Sequence, residues 1–148
     1  MALKRLKHWA TRGYHNFLLE RAHSPFVWGA NDCSSFAADG VKAITGTDIA
    51  DDFRGKYHDK ESAFALIKSV TGGSTVADAA PYCAKKHGLE ELPNPLFAQR
   101  GDLVVFVAPT GDLVSGSIHL NGSQIVAMGE DGLWMFPITE VKRAWHVG

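Results

Sequence analysis

The sequence predicts an α+β fold, with helices in its first part and an antiparallel sheet in its last. Three observations carry that prediction. Apolar residues recur with a helical period up to about residue 87, and with a period of two from residue 102 onward. Asn121-Gly122 lies between two short apolar runs and is a strong hairpin signal. The two kinds of segment do not alternate, and helices followed by a meander describe an α+β domain.

Each element follows from local signals. Residues 3–21 read as an amphipathic helix with Leu3, Leu6, Trp9, Ala10, Phe17 and Leu18 near one side. A loop over 23–32 carries Pro25, Gly29 and the capping residues Asn31 and Asp32. The clearest helix spans 33–45. Its apolar stripe is Cys33, Phe36, Ala37, Gly40, Val41 and Ile44, and Gly46 ends it. A third helix runs from Asp59, its cap, to about Val70, stopped by Gly72 and Gly73. A fourth begins near Ser74 and ends before Gly88, with Pro81 kinking or splitting it. Together these two occupy 59–87. Pro93 and Pro95 make 89–101 an irregular crossing.

The strands follow, over 102–147. DLVVFV (102–107) is buried, and APTGDLVSG (108–116) is an irregular loop. SIHL (117–120) and QIVAM (124–128) flank the hairpin turn. GLWMFPI (132–138) and RAWHV (143–147) complete a sheet of four to five strands. The 148 residues fit one domain, and 45% hydrophobic residues can build its core without metal or disulfides.

Composition narrows the function. Lys plus Arg is 15 and Asp plus Glu is 16, so no global basic field exists to hold nucleic acid. The basic run Lys4, Arg5, Lys7 and Arg12 reads as a solvated face. The N-terminus lacks the apolar run of a signal peptide, and no stretch approaches the roughly 20 apolar residues of a membrane span. The chain is expected to be made in a cytoplasm. With two cysteines, Cys33 and Cys83, there is no disulfide framework, although a single bridge stays open. No CxxC, CxxH or HExxH supports a metal site.

Cys33 is the residue around which chemistry can be built. A nucleophilic cysteine needs a lowered pKa, because the thiolate attacks. The first turn of a helix supplies unpaired N–H groups and the positive end of the dipole, and the same groups can hold an oxyanion. Ser34 and Ser35 leave room beside it. A small buried thiol on a helix stripe also serves as ordinary core.

The stretch PFVWGANDCSSF resembles the signature of the NlpC-type papain-like peptidases, which runs Pro-Tyr-x-Trp-Gly-Gly and then Asp-Cys-Ser-Gly-Phe. Pro25, Trp28, Gly29, Asp32, Cys33, Ser34 and Phe36 fall in register with it. The run from Arg100 to Phe106, with Gly101-Asp102 before an apolar strand, is similar to the family's Pro-Gly-Asp-Leu-Val-Phe-Phe. Ala144-Trp145-His146-Val147 resembles the ending of the small NlpC-like proteins of phage and gene-transfer-agent tail modules. The resemblance implies a papain-like fold, no cofactor, a place at the virion tail tip among other tail-tip proteins, and a peptidoglycan peptide as substrate.

In the same register the family's histidine falls on Val114, and its orienting partner on Val126 or Ala127. Phe26 replaces the tyrosine. His119 is then the nearest candidate base, and His146 a weaker one. Three readings follow. The first is a tail-tip cysteine hydrolase with Cys33 and His119 catalytic and Trp28, Asp32 and Ser34 contacting substrate. The second is a tail-tip structural component that has kept the fold and lost the chemistry. The third is a cell-wall-binding module without hydrolysis. Cys83 reads as structural.

Overall fold

The computed structural model describes residues 3–148. Four α-helices precede the sheet: α1 (Tyr14–Arg21), α2 (Cys33–Thr45), α3 (Lys60–Thr71) and α4 (Ala79–Lys86). The strands are β1 (Glu90–Glu91), β2 (Leu103–Val107), β3 (Leu113–Ile118), β4 (Gln124–Gly129), β5 (Gly132–Pro137) and β6 (Val141–His146). They form one six-stranded sheet in the order β1-β6-β2-β3-β4-β5, and every neighbouring pair is antiparallel. The architecture is α+β, with one strand more than the sequence suggests.

α2 is the central helix, and its ends obey local rules. Asp32 caps it, accepting from Ser35 N at 2.8 Å, while Ser35 Oγ accepts from Asp32 N at 2.9 Å. Gly46 closes it at φ 82°, a conformation that costs glycine nothing. Phe36, Val41 and Ile44 on its apolar stripe are buried, and the helix packs on β3 and β4. Burial of each such side chain contributes about 1.5–3 kcal/mol, so Ile44→Ala would cost about 2–5 kcal/mol with its cavity. α3 repeats the pattern, with Asp59 accepting from Ser62 N at 2.7 Å and Gly72 at φ 76°.

Four expectations need correction. The first helix does not span 3–21. Residues 3–8 are non-helical, and Leu6 N donates to Ile44 O at the end of α2. Helical structure begins with a π-helical turn, Trp9–Gly13, which runs into α1. Second, the fourth helix is split as expected, but the break falls ahead of Pro81, between a 3-10 turn at Val76–Asp78 and α4. Third, the crossing at 89–101 contains β1, which pairs with β6.

Fourth, β3 starts at Leu113, inside the segment expected to be a loop, and ends before His119. Ser115, Gly116 and Ser117 in its middle are all buried. α2 passes close over this strand, and Gly40 on the helix lies near Ser117. Close approach selects small residues, which hides the apolar alternation that marks a strand. Gly122 at φ 73° sits in the turn to β4, whose register pairs Ser117 with Val126.

Asp102, 0% exposed, ties the sheet to both ends of the described chain. It accepts from Val147 N at 2.9 Å and Gln99 N at 2.9 Å, and Arg5 Nε donates to Val147 O at 2.8 Å. Among the described residues no helix is long and apolar enough to cross a membrane.

Candidate functional site

The loop before α2 builds the site's entrance. Asn31 N donates to Val27 O at 2.7 Å, and Arg21 and Pro25 hold the Asn31 side chain. Gly29 takes φ 84°, and a Cβ there would stand 2.3 Å from Tyr57 O. Glycine is therefore required twice, by conformation and by contact. Trp28 packs edge-on against Phe26, with centroids 5.0 Å apart.

Asp32 is fully buried and engaged on both oxygens. Besides Ser35 it accepts from Gly29 N at 2.8 Å and from Tyr57 OH at 2.6 Å. Its carboxylate thus joins three segments: the entrance loop, α2 and the 47–58 loop. Asp32 acts in the protein as a cap and hub, and its oxygens are occupied by the fold rather than open to a substrate. Tyr57, which no sequence signal marked, completes that hub. Burial and the Asp32 charge together push the Tyr57 phenol upward, so it remains a donor.

Cys33 lines a groove of about 290 Å³. Trp28, Phe26, Phe64 and Trp134 give it aromatic walls, and Val114 and Met128 lie among its apolar lining. The Ser34 hydroxyl, then the backbone N–H groups of Ser115 and Ser34, favour a thiolate there. Burial opposes them and wins, with the Asp32 charge adding to it, and the thiol is pushed up to about 11. The helix terminus alone does not activate this cysteine. Cys83 is also free and buried, and burial pushes its thiol up to about 12. The single bridge that the sequence left open is not formed.

The structure does not bring Cys33 and His119 together. Val114, at the start of β3, lines the groove. His119 lies beyond the other end of that strand, about 16 Å along it at 3.3 Å per residue. There its Nδ1 accepts from Asn121 N at 3.1 Å, holding the turn, and partial burial lowers its pKa. The pairing of His119 with Cys33 is therefore corrected on geometry. His146 lies 3.2 Å from Asp102 at that same far end. Among the described residues no histidine lines this groove or the smaller cavity beside it.

Val126 and Ala127, the register positions for an orienting partner, are buried in β4 and face neither space. Met128 and Gly129 line the groove instead. The smaller cavity, about 40 Å³, is lined by Asp32, Ser34, Ser115, Tyr57 and the apolar faces of α2, α3 and α4. Trp28 borders both spaces. Ser34 makes only long contacts, 3.5 Å to Val76 O and 4.0 Å to Cys33 Sγ. The aromatic walls Phe64 and Trp134 were invisible as site residues, since each sits in an ordinary amphipathic pattern.

The arrangement offers an open, largely apolar groove, with Lys60, Asp112 and Glu130 also on its lining, that carries a protonated thiol. It can hold a guest, and among the described residues no imidazole lines it to start acyl transfer. A family model described as a domain of unknown function (DUF6950) matches residues 4–147, nearly the whole chain, and the chain belongs to that family. No curated protein matches it.

Proposed function

We propose that this member of the DUF6950 family is a catalytically silent, NlpC-like papain-type domain serving as a structural component of a phage tail tip. One observation carries the loss of chemistry: Cys33 shares its groove with Val114 and with no imidazole, and burial pushes its thiol up to about 11. The resemblance of the Cys33 stretch and of the chain's ending to tail-module proteins supports the tail-tip place, the virion location and other tail-tip proteins as partners. A hydrolase cutting peptidoglycan peptides would need a base within hydrogen-bond reach of the sulfur. Neither His119 nor His146 meets that need.

A second reading is favoured by a specific feature. The groove keeps its aromatic walls and its volume of about 290 Å³, as a cell-wall-binding module without hydrolysis would require. Both readings share the inert thiol and differ in whether the groove takes a ligand.

The test is the alkylation rate of Cys33 by iodoacetamide against pH, read site by site by mass spectrometry with Cys83 as internal control. Both thiols should react slowly and titrate well above the ordinary value of about 8.5. A Cys33 that titrates below that value, with peptidoglycan turnover abolished by Cys33→Ala, would return the hydrolase reading. Purified virions should contain the chain in their tail fraction, and its absence there would remove the tail-tip role. Soluble peptidoglycan fragments that quench Trp28 and Trp134 fluorescence saturably would select the binding module.

A further inference from the structure

β3 carries a buried group that the protein itself leaves unsatisfied. Ser115 is 2% exposed, and its Oγ has no hydrogen-bond partner among the described residues. A buried hydroxyl without a partner is destabilising, and such groups in folded proteins are normally met by protein or by ordered water. Ser115 lines the smaller cavity, whose volume is about 40 Å³. One water needs roughly 10–15 Å³ of such space and two to four polar partners.

Ser34 supplies the second partner. It lines the same cavity, and its contacts to Val76 O and Cys33 Sγ, at 3.5 and 4.0 Å, leave its hydroxyl largely unused. The other polar groups on the wall are committed. Asp32 and Tyr57 bond each other, Ser35 closes the cap of α2, and Arg54 is held by Asp39 and Asp48. The rest of the lining is apolar, with Ile49, Phe53 and Ile67 among it.

We propose that this cavity is a site for a neutral, hydroxyl-bearing guest of water size, with water as its resident, joining Ser115 Oγ on β3 to Ser34 Oγ on α2. The bridge has a positional consequence. Ser115 follows Val114 and Ser34 follows Cys33, so the guest links two segments that each carry a residue lining the groove. It acts on the groove from behind, and does so whether the groove binds a ligand or not.

Two measurements test it. A crystal structure at a resolution that shows ordered water should contain density within hydrogen-bonding distance of both hydroxyls, roughly 2.5–3.0 Å from each. Ser115→Ala, which removes one anchor, should lower the urea midpoint. A dry cavity in the wild-type crystal would overturn the proposal. So would a raised midpoint in Ser115→Ala, because relief of an unsatisfied hydroxyl stabilises a protein whereas loss of a bridged one does not. The wild-type crystal decides the matter even where the variant fails to fold.

Discussion

Replacing Asp32 by alanine should be among the most damaging single changes at the site. The side chain is 0% exposed and accepts from Ser35 N at 2.8 Å, Gly29 N at 2.8 Å and Tyr57 OH at 2.6 Å. Loss of an Asp cap costs about 1 kcal/mol. The Gly29 N–H and the Tyr57 hydroxyl are then left without their acceptor in a partly buried place, at about 1–3 kcal/mol each. The sum is about 3–7 kcal/mol, a large part of the stability of a domain this size. Urea unfolding followed by tryptophan fluorescence reads it directly, as a fall in midpoint at constant slope. Asp32→Asn keeps an oxygen for Ser35 and should cost less. It also removes the charge beside Cys33, so alkylation of that thiol should titrate below the wild-type value of about 11. A cost under about 1 kcal/mol for alanine, or an unmoved titration for asparagine, would refute the hub.

Three further outcomes are expected. Val114→His places an imidazole on the groove that Cys33 lines, and should bring the Cys33 alkylation profile down to below pH 9. An unchanged profile would mean that position 114 does not address the sulfur. His119→Ala should leave that profile untouched and shift the urea midpoint by less than about 1 kcal/mol, since the imidazole only accepts from Asn121 N; a slower Cys33 would revive the dyad. Stability should also fall on the alkaline side. The Cys33 thiol has its pKa raised by burial from 9.0 to about 11, so between those values the unfolded chain binds fewer protons than the folded one. The stabilisation is fully present below pH 9 and is lost as pH rises toward 11, by roughly 2–3 kcal/mol for this group. Cys33→Ala should flatten that decline, and an equal slope in the variant would count against burial of the thiol.

The parts of the fold that are legible in the sequence are those set by near neighbours. α2 could be bounded to the residue because Asp32 and Gly46 act within one turn of their own helix. α3 is equally plain from Asp59 and Gly72. β3 was hidden for the opposite reason. Its small residues answer to α2 passing overhead, a long-range contact that leaves no period in the strand itself. The segment from Leu3 to His8 has helical spacing yet bonds to Ile44 instead, so tertiary pairing overrode propensity there.

At the site, Cys33 was found from its place at a helix start. The register carried by the resemblance put Val114 on the histidine position, and that residue does line the same groove. His119 is the histidine nearest to that position in sequence, and a strand converts such nearness into distance. Tyr57 and Ser115 had no signal at all, because a hydroxyl's role depends on what the chain brings to it.

The clasp at Asp102 fixes how this domain can be attached to anything else. Arg5 and Val147 meet there, at the start of β2, while the groove lies past the other end of that strand, about 16 Å away. A tether fused at either side of the clasp would leave from one pole and present the groove at the opposite pole. The same geometry suits the domain to being spliced into a loop of a host protein, since both strands of the graft would depart from adjacent points. A surface-immobilised sample made this way would keep its aromatic mouth facing the solution.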